Sequence, residues 1–589
     1  MLHRQLRSAA IAGALALACS AVLAAPTHRY TSHKLTGNPT DTRVAGLDID
    51  SLTIPEIQEL MDSRRLKAVQ LVQFYTHRIR KLNPTLHAVI TVSPTALAEA
   101  RAADAARRAG DDRPLLGIPI LLKDNINTTG MPTTAGSWAL AGNTPDDAFI
   151  VEQLKAAGAI IIGKANLSEW ANFRSSVSSS GWSGIGGQTN MAYVLDRNPC
   201  GSSSGSAVAV SADLAVAAVG TETDGSIMCP SGANGVVGIK PTLGLLSREG
   251  IVPISADQDT AGPITRNVTD AAVLLGVMAG VDQKDPATFA QAGHAYEDYT
   301  QFLDRRSLQG ARIGVWREST YEVDGEPVDQ GVADVMDKTI AALKAAGATV
   351  IDPTDIDYGE WINAEFPALL CEFKTDLTTY LETYTGPGYP KTLQDIIDFN
   401  NNNPQLESGA PLSNWDSLLF ELARDTGGRD AECAALRETA TSGARAAIND
   451  VMQANDLDAI IAPSNGPAWV TDPVNGDLGG DFSTFIGSSG PSAVAGYPDI
   501  TVPAGYVGPL PVGVTFIGGR WDEPKLISLA YAFEQATEVR VPPTFLPTIG
   551  ADSSSRTSQN HGKPGKATQQ RGRSGANSVD RVKRLPPLR

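Results

Sequence analysis

The sequence predicts an α/β fold built on a mixed, largely buried central β-sheet. Two observations carry that expectation. Short apolar runs of strand length alternate with helical stretches along the chain. The composition, 42% apolar and 19% charged over 589 residues, supplies material for a large buried core.

Taken in order, residues 1–24 have the layout of a secretory signal peptide. Arg4 and Arg7 precede the Ala/Leu-rich stretch Ala9–Leu23, which ends in the small residues Ala24 and Ala25. The competing reading is an uncleaved anchor. Lipidation at Cys19 is disfavoured because Ala16-Leu17-Ala18 sets the leucine one place out of the usual order. Residues 25–46 form a polar lead-in segment, and the main domain is expected over 47–550. There Thr53 is a fitting N-cap before Pro55 and Glu56, opening a helical pattern that runs through Leu71 to Leu82. A second helix is expected over Thr95–Ala109. Gly117–Leu122 and Ala159–Ile162 read as buried strands, with Phe149–Ala157 as the helix between them. Leu214–Val219 and Ala459–Ala462 read as further strands.

Residues 282–455 are mostly helical in pattern, with strands at Ala311–Trp316 and Thr349–Ile351, and read as a helical lobe inserted to cap the core. Residues 551–589 carry nine Lys/Arg against two Asp among many Ser, Gly and Gln, and are expected to be a disordered basic tail.

The formal net charge of −17 argues against nucleic acid or an anionic membrane surface as a partner. No internal apolar run is long enough to cross a bilayer, so no membrane contact is expected beyond the signal peptide. Without Cys19, four cysteines remain: Cys200, Cys229, Cys371 and Cys433. That is too few for a disulfide framework, although an oxidising compartment permits a bond. No CxxC or HExxH spacing supports a metal site.

Three stretches carry chemistry. Gly220-Thr221-Glu222-Thr223-Asp224-Gly225-Ser226-Ile227 follows an apolar strand and presents a serine in a tight turn. Small residues there let backbone N–H groups approach a ligand closely, as an oxyanion hole requires. Cys200-Gly201-Ser202-Ser203-Ser204-Gly205-Ser206 leads into a helix but lacks the Gly-Lys-Ser/Thr ending of a phosphate loop. Leu122-Lys123-Asp124-Asn125 puts a lysine at the end of an apolar run, where burial would lower its pKa. None of the seven histidines lies in a Gly-rich turn or at a strand end, and no Gly-x-Ser-x-Gly elbow occurs. A neutral lysine is therefore the best remaining base. Cys200 and Cys229 each lie within three residues of a candidate serine, as a bridge or as two space-filling thiols.

Together the three stretches resemble the amidase signature family, whose pattern is Gly-Gly-Ser-Ser-Gly-Gly-Ser followed by Gly-Thr-Asp-Thr-Gly-Gly-Ser-Ile. The separation of 24 between Ser202 and Ser226 fits the family spacing. The likeness continues through Gly238-Ile239-Lys240-Pro241-Thr242, Asp259-Thr260-Ala261-Gly262-Pro263 and Leu510-Pro511-Val512-Gly513. The resemblance implies a mixed sheet with helices on both faces and a hydrolase of linear amides needing neither metal nor organic cofactor. It further implies Ser226 as acyl-forming nucleophile, Ser202 as relay and Lys123 as base. Backbone N–H groups of Thr223, Asp224, Gly225 and Ser226 would hold the oxyanion, and Ser203 would orient Lys123.

The sequence departs from the family pattern at Cys200, Ser204 and Asp224, where glycines are usual, and at Met228, where many relatives carry an arginine suited to a free carboxylate. These departures, with the stretches Asn166-Leu167-Ser168-Glu169-Trp170-Ala171-Asn172-Phe173, Ser180-Gly181-Trp182-Ser183 and Cys229-Pro230, are most similar to the family's bacterial peptide amidase branch, which removes C-terminal amides from peptides. Trp170 and Trp182 would line a pocket or pack the core. Competing expectations are an amidase for small aliphatic or aryl amides, the glutaminase component of a tRNA amidotransferase, and a catalytically silent binding protein. The signal peptide and the missing arginine speak against the amidotransferase component.

Overall fold

The apolar runs become strands of one eleven-stranded mixed sheet. The computed structural model describes residues 39–408, 415–478 and 486–550. The expected signal peptide, most of the lead-in segment and the basic tail lie outside the described residues. In chain order the sheet strands are β1 (Val89–Val92), β2 (Pro119–Lys123), β3 (Ile160–Ala165), β4 (Ala217–Glu222), β5 (Val237–Lys240) and β6 (Thr260–Thr265). They continue as β7 (Arg312–Val315), β8 (Thr349–Ile351), β9 (Ala459–Pro463), β10 (Asp499–Val507) and β11 (Leu510–Ile517). Across the sheet they lie in the order β8-β7-β9-β11-β10-β5-β6-β4-β2-β3-β1. β2 runs parallel to β3 and β4, and β7 parallel to β8 and β9; the other neighbours are antiparallel. Every residue of β2, β3 and β4 is buried, so both faces of the sheet are covered there.

Thr53 caps the helix Ile54–Asp62 in a full capping box with Glu56. The helical pattern that reads on toward Leu82 is broken after Asp62. Arg64 takes a left-handed conformation (φ 60), and Asp104 accepts the N–H groups of Ala68 and Val69 at the start of the next helix, Ala68–Leu86. β6 was hidden in the sequence by Gly262 and Pro263. A side chain at Gly262 would lie 1.9 Å from the Ile239 carbonyl oxygen, so glycine is what lets β6 lie against β5.

The expected lobe over 282–455 is corrected. β7 and β8 are the far edge of the central sheet, and Val332, Val335 and Met336 of the helix Gln330–Ala345 are buried in the main core. Their apolar faces need the sheet to bury them, which ties that half of the segment to the core. The cap proper begins with Trp361–Tyr384 and includes Leu393–Asn402 and Leu418–Asp425, which pack around Phe373, Leu377, Ile396 and Phe420. A disulfide, Cys371–Cys433, fastens Trp361–Tyr384 to the helix Ala431–Asn455. On the core side of the cap, Arg174 lies buried between the carboxylates of Glu169 and Glu407. Glu407 also accepts from Ser137 Oγ and the Trp138 N–H at 2.9 and 2.7 Å.

Candidate active site

β2 and β4 are parallel neighbours, and their C-terminal ends place Lys123 beside Thr221. The Ser202-Ser203 pair directly precedes the helix Ser204–Ser211, which packs on β4. These elements bring Lys123, Ser202 and Ser226 into one hydrogen-bonded line. Lys123 Nζ is 2.8 Å from Ser202 Oγ, and Ser202 Oγ is 2.8 Å from Ser226 Oγ. Lys123 and Ser202 are fully buried, while Ser226 keeps 7% exposure at the open end of the line.

Lys123 Nζ also lies 3.1 Å from the Thr221 carbonyl oxygen and 2.9 Å from Thr221 Oγ1. Burial pulls Lys123 from its ordinary 10.5 down to about 7, against the opposing charges of Asp259 and Glu222. A neutral amine has two N–H bonds and one lone pair. The Thr221 carbonyl can only accept, and Thr221 Oγ1 takes a second N–H while also accepting from Asn125 Nδ2 at 2.9 Å. The lone pair is then left for the Ser202 hydroxyl. Ser203, expected to orient the lysine, instead bridges the Thr221 N–H and carbonyl at 3.2 and 3.0 Å. Ser203 therefore fixes Thr221, and Thr221 holds the lysine.

The serine turn is pinned on both sides. Thr223 Oγ1 donates to Asp259 Oδ1 at 2.6 Å, and Gln258 Nε2 donates to the Thr223 carbonyl at 2.9 Å. Beyond the serine, Glu222 Oε2 accepts the N–H groups of Ile227 and Met228 at 2.7 and 3.0 Å. The left-handed position in the turn is Gly225 (φ 76), not Asp224. Asp224 therefore replaces the usual glycine without strain; its exposed carboxylate accepts from Ser489 Oγ at 2.6 Å. The N–H groups of Asp224, Gly225 and Ser226 reach no acceptor among the described residues.

Cys200 and Cys229 form a disulfide with Cα atoms 5.9 Å apart, so all four cysteines among the described residues are paired. Of the two arrangements left open for Cys200 and Cys229, the bridge is the one present. The pocket candidates fare differently. Met228 is buried in the main core, and Trp170 is buried in the cap cluster against Phe420. Trp182 is half-buried beside Trp415, with ring centres 4.4 Å apart. Thr221, Asn125, Gln258 and Asp259 were not singled out one by one from the sequence. The signal for Asn125 was its place beside Lys123, and for Asp259 its place at the head of a shared motif.

The Amidase family profile matches residues 70–527. An Arabidopsis thaliana protein named Probable amidase is 41% identical over 511 residues, covering 85% of this chain and 92% of its own. A glutamyl-tRNA(Gln) amidotransferase component from Thermoanaerobacter pseudethanolicus is 34% identical over 509 residues, covering 84% of this chain and 99% of its own. Among solved structures, the native peptide amidase of Stenotrophomonas maltophilia matches with a TM-score of 0.78 at 45% identity, over 84% of this chain and 99% of that one. A peptide amidase bound to the competitive inhibitor chymostatin matches with a TM-score of 0.79 at 46% identity, over the same shares of the two chains. With the signature stretches placed at one buried site, the chain belongs to the amidase signature family and is an amidohydrolase.

Proposed function

We propose that the protein removes the terminal carboxamide from short peptides, releasing ammonia through an acyl-enzyme formed on Ser226. The observation that carries this reading is the line from Lys123 through Ser202 to Ser226, headed by an amine that burial keeps near neutrality. Ser226 Oγ attacks the amide carbon as its proton passes to Ser202 and the Ser202 proton passes to Lys123. The free N–H groups of Asp224, Gly225 and Ser226 receive the developing oxyanion, with the Thr223 N–H beside them. Lys123, now an ammonium, returns the proton through Ser202 to the leaving nitrogen, and water then deacylates Ser226 by the reverse relay.

Two observations support a peptide-like substrate. Met228 offers no cation to a substrate carboxylate, and similarity to peptide amidase spans 84% of the chain. Export to an oxidising compartment is part of the same proposal. It is supported by the composition of residues 1–24 and by the two disulfides. The test compares ammonia release from a peptide amide, its free acid and free glutamine. The peptide amide should be hydrolysed fastest, and Ser226→Ala should lose more than about a thousandfold in kcat. Equal or faster release from glutamine would overturn the substrate, and turnover surviving in Ser226→Ala would overturn the nucleophile.

A further inference from the structure

Two buried carboxylates bracket the serine turn, and the proton relay uses neither. Asp259 stands at its start, accepting from Thr223 Oγ1 through one oxygen and from the N–H groups of Ile254 and Ser255 through the other, at 2.7 and 3.0 Å. Glu222 stands at its end, with Oε2 on the N–H groups of Ile227 and Met228; its Oε1 is buried without a hydrogen-bond partner among the described residues. Neutral amides could accept the same N–H bonds. What carboxylates add is negative charge, in a buried setting where charge is costly. Both also act electrostatically on Lys123.

We propose that Asp259 and Glu222 are positioning residues that clamp the oxyanion turn from both sides and supply the counter-charge for the ammonium that Lys123 becomes during acylation. This rests on the serine–lysine reading above. When the proton leaves Ser226 and arrives on Lys123, a cation appears on a fully buried side chain. Its partners there are hydroxyls and a carbonyl, so nearby negative charge stabilises it. At the same moment the oxyanion forms, and Gly225, with no side chain to restrict it, needs the turn held on either side.

Burial raises Asp259 to about 6, which leaves it ionised where Lys123 is a free base. Glu222 is raised by burial too, against the charge of Lys240, while Asp224 raises it further. Lys240 faces Asp499 across β5 and β10 and donates to the Tyr497 carbonyl. Asp376 adds negative charge on the Asp259 side. Through Gln258, the Thr223 end of the turn also reaches Glu365 and Arg437.

The test measures kcat and KM against pH for Glu222→Gln, Asp259→Asn, Glu222→Asp and Thr223→Val, on an amide that the wild-type enzyme turns over. Removing either carboxylate should lower kcat about tenfold to a hundredfold with little change in KM. It should also move the acidic midpoint of the rate profile to lower pH, because an ammonium without its counter-charge loses its proton more readily. Glu222→Asp keeps the charge and should recover most of the activity and the midpoint. Thr223→Val removes only the hydroxyl that Asp259 receives, so kcat should fall with the midpoint unmoved. Folded Gln and Asn variants with wild-type kcat and midpoint would overturn the proposal. Should those variants fail to fold, wild-type kcat in Thr223→Val would overturn the clamp. Any of these results leaves the nucleophile assignment to stand or fall on Ser226→Ala.

Discussion

The Cys200–Cys229 disulfide joins a residue two places before Ser202 to one three places after Ser226. The two loops that must keep their serine oxygens 2.8 Å apart are therefore covalently one piece. Replacing both cysteines with serine should reduce kcat more than it raises KM, because the relay loses a constraint while the rest of the cleft stays in place. Steady-state kinetics of the double variant check this. Treatment of the wild type with a strong reductant under native conditions should produce the same defect, and reoxidation should reverse it.

Activity should rise with pH through a midpoint at about 7, the value to which burial brings Lys123. The sign follows from the chemistry: below the midpoint Lys123 is an ammonium and cannot take a proton, while above it the lone pair is free. Lys123→Arg should be as inactive as Lys123→Ala, since guanidinium stays protonated. A profile of kcat/KM against pH, with unfolding followed separately, is the measurement.

Thr221 takes both N–H bonds that a neutral Lys123 can give. Thr221→Val keeps the carbonyl but removes the hydroxyl, leaving Lys123 free to turn and Asn125 Nδ2 without its acceptor. The variant should lose about 1–3 kcal/mol of stability from the buried unsatisfied amide. It should also lose activity out of proportion to any change in KM. Denaturant unfolding and kinetics on the same preparation separate the two effects.

Arg174 is buried between Glu169 and Glu407, with Nη1 3.2 Å from Glu407 Oε2. Burial and the neighbouring Glu407 hold Glu169 well above the usual carboxylate range, so Arg174→Met would leave the negative charge this acidic pair carries without its cation, a loss of about 3–5 kcal/mol for a buried pair. The expected outcome is a marked fall in Tm. Replacing Glu169 and Glu407 by Gln in the same variant should recover part of it, since no charge is then stranded.

What the sequence made legible depended on how local each signal was. Lys123, Ser202 and Ser226 each sit where an apolar run meets a turn, so the residues themselves announced the position. β2 and β3 were visible as unbroken apolar runs. Thr221 was on view in the same stretch as Ser226, but nothing local told that its carbonyl and hydroxyl face a lysine 98 positions earlier. Asp259 meets Thr223 across 36 positions, and Cys371 meets Cys433 across 62; such pairings belong to the fold rather than to any stretch of chain. β7 and β8 were read as strands but placed in a lobe, because β9, which joins β7 to the rest of the sheet, follows β8 after more than a hundred residues of mostly helical pattern.

The order of strands has a consequence for how the chain can reach this state. β10 and β11 come last in sequence, yet they lie in the middle of the sheet, between β5 and β9. Until residue 517 has been synthesised, the half-sheet holding β1–β6 and the half-sheet holding β7–β9 have no strand through which to join. The last hairpin works as a keystone. A nascent chain lacking it exposes the open edges of β5 and β9 together, and the closing contacts span most of the sequence, which slows their formation. The two half-sheets therefore stay separate until every other strand of the sheet has been made.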